Sequence, residues 1–299
     1  MNPVVLPESE NFLGIRSEIS SFDNSRVVIQ QIPYEHTSSY RLGSSMGPNA
    51  IIRASHYVEF YDEEIDTEAC ENVGICTLQQ LDFLENEIDD IAVNKIKLAT
   101  EEILSSGKFV VSLGAEHTVS LGLIEAHLEK FPYMSVLQID AHSDLRNEYE
   151  NNKYSHASVM ARVNELNVPI SQVGIRAQSK EESQLIKESQ SIHTLYDHQL
   201  KGEMWIETAM EGLSDQVYIT IDTDGLDPSL APAVGTPEPG GLSWKQCLDL
   251  FRALAKSNKK VVGFDIVELA PLKGDIRTEY TMAKLLYKLI GYLHKYQKL

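Results

Sequence analysis

Cysteine is nearly absent: Cys70, Cys76 and Cys247 are the whole set in 299 residues. An odd, sparse set builds no disulfide framework and reads as free thiols in a reducing compartment. No run of about 18 apolar residues occurs, so no membrane-spanning helix is expected. No basic-then-apolar pattern opens the chain, so no secretory signal is expected, and a cytoplasmic location follows by elimination. Basic residues are few, 26 Lys and Arg against 44 Asp and Glu, for a net charge of −18. Such a surface argues against nucleic acid or an anionic membrane as partner, and leans mildly towards a small cation. Between Ala54 and Asn94 there is no Lys or Arg at all. The acids crowded there, from Asp62 and Glu64 to Asp89 and Asp90, read as a solvated surface excursion rather than a docking site. There is also no internal repeat, low-complexity segment or linker. One domain over residues 1–299 is therefore expected, with residues 1–24 as a surface arm.

What is present is an alternation of strand and helix. Apolar runs at 26–32, 108–113, 134–139, 171–175, 217–221 and 261–266 read as strands. Helix signals follow Pro48, recur from Ala92 to Ile103, and lie at about 118–130 and up to Glu165. Ser243 is placed to cap a helix at about 244–256. Met282, Leu285, Leu286, Leu289 and Leu293 form one helical stripe near the C-terminus. The alternation predicts an α/β fold, a mostly parallel sheet with helices on both faces. Ligands of such sheets bind beyond the carboxyl ends of the strands.

The chemistry-bearing residues sit at those ends. His117 follows the strand at 108–113. Asp140, His142 and Asp144 close the run at 134–139. Asp222 and Asp224 close the run at 217–221, and Glu268 closes the one at 261–266. Side-chain alternation turns Asp140 and His142 one way, and likewise Asp222 and Asp224. One such cluster alone fits polar residues at a strand end facing water or capping a helix. A second cluster of the same kind weakens that reading. Four desolvated aspartates gathered together would repel too strongly to stay ionised. Two divalent cations would cancel the charge. His117, Asp140, His142, Asp144, Asp222 and Asp224 are rich in oxygen and lack thiolate, which favours Mn2+ over a structural zinc site. Two metals sharing a water would supply hydroxide near neutral pH, so hydrolysis at an electron-poor carbon is the natural reaction.

Gly114-Ala115-Glu116-His117, Asp140-Ala141-His142-Ser143-Asp144 and Asp222-Thr223-Asp224-Gly225-Leu226-Asp227-Pro228 resemble the signatures of the arginase and agmatinase family, the ureohydrolases. Gly263-Phe264-Asp265-Ile266-Val267-Glu268 matches a fourth segment, and looser likeness runs from about residue 28 to the C-terminus. The resemblance implies an arginase-like three-layer α/β sandwich, a pair of Mn2+ ions, and urea released from a guanidino compound when a metal-bridging hydroxide attacks its carbon. Carried over by position, His117, Asp140, Asp144 and Asp222 would hold one ion. His142, Asp140, Asp222 and Asp224 would hold the other. Glu268 would pair with the guanidinium, and His156 looks like the family's proton-handling histidine. Asp144 would pass the nucleophile's proton to the departing amine. A homo-oligomer, trimer or hexamer, is also implied. His36, His56, His127, His193, His198 and His294 lie outside the motifs and read as surface or satisfied core. Cys247 falls within a helix and reads as packing. With no cysteine near a motif, the cysteine-nucleophile route of deiminases is set aside.

The substrate's far end is less plainly written. Glu116 and the stretch Gly235 to Gly241 look like the agmatinase branch, although Ala115 and Thr118 depart from the commoner residues. In the loop Leu145 to Tyr154, Glu148 and Glu150 suit an amine tail, while Arg146 and Lys153 suit a carboxylate. Agmatine, giving putrescine and urea, is the leading expectation. Arginine, formiminoglutamate and guanidinobutyrate are the rivals. A non-catalytic relative and a single-zinc deacetylase-like enzyme are the readings from other classes.

Overall fold

Residues buried on both faces draw the apolar runs into one sheet. The chain is described by a computed structural model over residues 3–202 and 204–299. Its strands are β1 (Val27–Ile32), β2 (Tyr61–Asp62), β3 (Thr67–Glu68), β4 (Ile75–Thr77), β5 (Phe109–Gly114), β6 (Ser135–Ile139), β7 (Ile170–Ile175), β8 (Ile192–Tyr196), β9 (Gln216–Asp222) and β10 (Lys260–Val267). β2 and β3 form a small antiparallel ribbon. The others form an eight-stranded sheet in the order β4-β1-β5-β10-β9-β6-β7-β8. Every pairing in that sheet is parallel.

Period-two alternation divides the core. Val111, Leu137, Ile219 and Phe264 point to the face covered by helices Gly47–Ser55, Trp244–Lys256 and Arg277–Gln297. Val136, Tyr218 and Val262 point to the opposite face, under helices Asp89–Ser105, Val119–Lys130 and Val159–Glu165. The expected α/β class is therefore the observed one. Among the described residues no helix is long and apolar enough to cross a membrane.

Two expectations are corrected. Residues 1–24 are not simply a surface arm: Asn11, Phe12, Leu13 and Ile15 are buried, and Val5 bridges Leu78 beside β4. Residues 1 and 2 of that stretch lie outside the described residues. Nor is the acidic stretch wholly solvated. Asp62 is buried and accepts from Lys288 Nζ at 2.9 Å. Burial alone would raise the Glu64 carboxyl, but donors from Lys288, Tyr292 and Arg252 hold it at about 2. Asp62 and Glu64 take their cations from helices far along the chain, whereas Glu71 pairs with Arg16 and Glu87 with Lys95.

His127 is not a satisfied core histidine. It is fully buried and donates from Nδ1 to Leu123 O at 2.7 Å, yet its Nε2 has no hydrogen-bond partner among the described residues. Burial lowers its pKa from 6.5 to about 4. Only the unfolded chain protonates this ring between those values, so its stability contribution is intact above pH 6.5 and is lost as pH falls towards 4. At pH 5 the loss is about 2 kcal/mol. His127→Phe keeps a planar ring without the titration. Denaturant melts at pH 7.5 and pH 5 are expected to show a smaller acid loss in the variant by that amount. Equal losses in both proteins would contradict the assignment.

Candidate metal centre

Four neighbouring strands, β5, β10, β9 and β6, end at one rim of the sheet. They deliver His117, Glu268, Asp222 with Asp224, and Asp140 with His142 and Asp144, in that order. Two backbone features bring these ends together. Gly225 packs so tightly on β6 that an added Cβ would lie 2.7 Å from Asp140 N, so the turn carrying Asp224 closes onto Ala141. Asp144 and Glu268 adopt left-handed backbone, φ 54° and 63°, a conformation uncommon outside glycine and concentrated at functional sites.

The side chains converge as two donor groups that could hold a metal ion. One is His117, Asp140 and Asp144; the other is Asp140, His142 and Asp224; Asp140 belongs to both. His117 Nδ1 lies 2.9 Å from Asp144 Oδ2, 3.1 Å from Asp140 Oδ2 and 3.4 Å from Asp222 Oδ2. His142 Nδ1 lies 3.0 Å from Asp224 Oδ2. Main-chain donors fix the carboxylates from behind: His142 N reaches Asp140 Oδ1 at 2.6 Å, and Asp224 N reaches Asp222 Oδ1 at 2.8 Å.

The chemistry of this donor set fits a divalent cation. Thr220 Oγ1 donates to Asp265 Oδ1 at 2.7 Å and meets His117 Nε2 at 2.9 Å. Its proton is committed, so Nε2 carries a ring proton, and Nδ1 is left facing three carboxylates that hold the ring's proton affinity well up, a place for a cation. Among the described residues that buried Nδ1 has no well-directed hydrogen bond, only the close carboxylate oxygens of Asp140, Asp144 and Asp222. Burial, followed by the charges of Asp144 and Asp224, pushes Asp140 up to about 7. Burial and the neighbouring Asp224 and Asp140 drive Asp222 well above the carboxylate range. Burial would lower His142, but Asp224 holds it up at about 10. Asp224, paired with His142, is instead held low. A crowd of acids that drives Asp140 and Asp222 up and makes His142 hold its proton is the environment a metal cation relieves.

Above this floor lies a cavity of about 510 Å³, lined by His117, His142, Asp144, Asp222, Asp224, Glu268 and His156 among others. Asp140 is fully buried beneath it. All eight candidate residues thus gather at one place. Glu268 Oε1 accepts from His117 N at 2.7 Å. Burial and the nearby Glu116 raise its carboxyl well above the ordinary value. The wall also contains residues the sequence did not single out, Ser39, Tyr149, Arg176 and Glu182, together with Glu238 from the stretch Gly235 to Gly241. Arg176 is spent on main-chain carbonyls, including those of Asp224 and Glu238, and so ties the loop bearing Glu238 to the turn that follows β9. Arg146 and Tyr149 reach the cavity from their loop; Glu148, Glu150 and Lys153 do not line it. The cysteines are all buried and unpaired. Burial raises Cys76 and Cys247 to about 12, which suppresses the nucleophilic thiolate.

The comparisons with known proteins agree with this geometry. The sequence pattern of the arginase family matches residues 25–291. The N(1)-aminopropylagmatine ureohydrolase of Synechocystis sp. is 40% identical over 287 residues, covering 94% of this chain and 93% of that protein. The agmatinase of Bacillus anthracis is 36% identical over 264 residues, covering 84% and 86%. The crystal structure of the agmatine ureohydrolase of Thermoplasma volcanium superposes with a TM-score of 0.83 at 32% identity, covering 94% of each chain. The helix–sheet–helix layering and the clustered aspartates and histidines have the same explanation: the chain belongs to the arginase family, hydrolases that act on guanidino groups.

Proposed function

We propose that this chain releases urea from a guanidino compound with a cationic tail, converting agmatine to putrescine with two Mn2+ ions bound. His117, Asp140, Asp144 and Asp222 would hold one ion, and His142, Asp140, Asp222 and Asp224 the other. Such a pair supplies a Lewis acid and a nucleophile at neutral pH. The protein's own groups do the rest. Glu268, held by the His117 N–H, receives the planar guanidinium, whose charge favours the ionised carboxylate. Asp144 carries the nucleophile's proton to the departing amine. His156, at the cavity wall, exchanges protons with the amine. The resemblance also supports a cytoplasmic trimer or hexamer; light scattering on the purified protein would show a monomer if that part is wrong.

The observation carrying the tail assignment is Glu238. Its side chain is 39% exposed at the cavity, 4.0 Å from His142 Nε2. Among the described residues no hydrogen-bond donor reaches its carboxylate, while the main chain beneath it is pinned by Arg176. A carboxylate at the cavity with no hydrogen bond of its own, only the His142 ring at 4.0 Å, suits an amine. Glu238→Gln is expected to raise KM for agmatine about five- to tenfold, a loss near 1 kcal/mol for a partly exposed ion pair, with kcat little changed. A guanidine with a neutral alkyl tail should show no such change. Equal effects on both compounds would remove Glu238 from this role.

A second reading has its own support. The Synechocystis relative is more similar than the agmatinase of Bacillus anthracis, and its name specifies N(1)-aminopropylagmatine. That compound carries the same guanidinobutyl unit and a further amine. Urea release over agmatine, N(1)-aminopropylagmatine, arginine and guanidinobutyrate decides between them. The two amine-tailed compounds are expected to lead. A higher kcat/KM for arginine or guanidinobutyrate would overturn the proposal.

A further inference from the structure

His156 is gripped on three sides. Its ring meets Tyr149 edge-on, with centroids 5.6 Å apart. Its Nδ1 lies 3.2 Å from Thr37 Oγ1, and its Nε2 lies 3.3 Å from Ser39 Oγ. Ser39, Tyr149 and His156 line the cavity and Thr37 does not, so Nε2 lies on the cavity side and Nδ1 faces the protein. The ring is therefore oriented, and the remaining question is which nitrogen carries the proton.

Counting donors answers it. Glu116 is fully buried. Its Oε2 accepts the main-chain N–H groups of His36 at 2.9 Å and Thr37 at 2.6 Å, the pattern of an acceptor-only carboxylate. Its Oε1 takes the Thr37 hydroxyl at 3.0 Å. Thr37 has one proton, and Glu116 receives it. The hydroxyl oxygen is left with lone pairs only. One accepts the main-chain N–H of His156 at 3.0 Å. The other faces Nδ1, which must therefore be the protonated nitrogen. A bare Nδ1 would set two lone pairs against each other at 3.2 Å. In the neutral ring Nε2 is then unprotonated and accepts from Ser39.

We infer that Glu116 and Thr37 are positioning residues that lock His156 in the Nδ1–H tautomer, so that proton exchange with the substrate is confined to Nε2. The inference rests on the reading of His156 as the proton-handling group. It gives Glu116 a physical task beyond its place in the first signature segment. The arrangement follows general practice: the partner of the remote imidazole nitrogen sets the state of the reacting one.

The test combines spectroscopy with kinetics. Nitrogen-15 NMR of the Zn2+-loaded, diamagnetic protein, with the His156 signals identified by their loss in His156→Gln, is expected to place the proton on Nδ1. Thr37→Val removes the hydroxyl at nearly constant shape and should let the proton redistribute towards Nε2. With Mn2+ bound, the same variant should lose about ten- to hundredfold in kcat, within the range of general acid–base contributions, at unchanged KM and metal content. Thr37→Ser restores the hydroxyl and should return kcat to within about twofold of wild type. A wild-type spectrum with the proton on Nε2 overturns the inference, as does a Thr37→Val enzyme with unaltered kcat. A fully active His156→Gln enzyme would instead overturn the proton-handling role of His156. The spectrum then decides the tautomer by itself.

Discussion

Asp140→Ala is expected to release bound Mn2+ and abolish urea production together. Asp140 is the one side chain common to both donor groups, and it is fully buried. Each of its oxygens already has a protein donor behind it, His142 N on Oδ1 and Gln138 Nε2 on Oδ2, so its position is set before any ion arrives. Loss of an outer partner of a metal ligand typically costs 10- to 100-fold; loss of a ligand shared by two ions should cost on the order of 10⁴-fold or more in kcat/KM. Stability gives an independent readout. An ion that binds only the folded chain stabilises it by about 4 kcal/mol at a thousand times its Kd. Wild type should therefore melt higher with Mn2+ than with chelator, and the variant should not respond. Without metal, relief of a carboxyl crowded by burial, Asp144 and Asp224 is set against the lost acceptors of His142 N and Gln138 Nε2, so the variant's Tm should stay near that of metal-free wild type. Asp222→Ala should behave alike. Elemental analysis still finding two Mn2+ per chain in an active Asp140→Ala enzyme would displace Asp140 from the centre.

The parts of the fold legible in sequence are those where burial leaves a continuous record. β1, β5, β6, β9 and β10 are covered on both faces and read as mainly apolar runs, broken only by single or paired polar residues such as Gln138 and Gln30-Gln31. β4 and β8 went unread because edge strands are under weaker demand. β4 is only Ile75–Thr77, and β8 mixes His193 and Thr194 into its apolar residues. Helix Lys180–Glu188 was unread for a related reason. Its mean hydrophobic content is low, although Ser179 and Glu182 form a capping box whose spacing stands plainly in the sequence. Short range also hid the fate of the acidic stretch, since Lys288 and Arg252 lie far along the chain.

The floor of the centre was legible because its chemistry is extreme and local. Aspartates and histidines follow apolar runs within a few residues, and repulsion among them has few explanations other than a cation. The walls were not, because each wall residue acts through a long-range contact. Glu116 meets Thr37, and Thr37 meets His156, from distant parts of the chain. Arg176 reads like any exposed arginine until its carbonyl partners are seen. In the loop 145–154, Glu148 and Glu150 suit an amine tail and Arg146 and Lys153 a carboxylate; of these four only Arg146 lines the cavity, beside Tyr149. Backbone direction in a polar loop is set by tertiary contacts that composition does not record.

Glu268→Gln is expected to leave the metal in place and damage substrate binding severely. The substitution is close to isosteric, and its carbonyl can still accept the His117 N–H that holds Oε1 at 2.7 Å. The left-handed backbone at this position, φ 63°, is unchanged by it, so positioning survives and only charge is lost. That charge is costly in isolation, since burial and then the charge of Glu116 push the Glu268 carboxyl well up. A guanidinium beside it offsets the cost, and a neutral amide gives nothing equivalent. Breaking one side of a buried, hydrogen-bonded charge pair costs about 2–5 kcal/mol, or roughly 30- to 5,000-fold in kcat/KM. The loss should appear in KM, and in kcat wherever the guanidinium is also misaligned for attack. Metal content and the Mn2+-dependent rise in Tm should match wild type. Loss of metal in step with activity would make Glu268 part of the metal centre, whereas unchanged KM and kcat would mean that the guanidinium is held by another group. Because Asp140→Ala removes the ions and Glu268→Gln spares them, the two variants separate the cation-binding floor from the substrate-binding wall of one cavity.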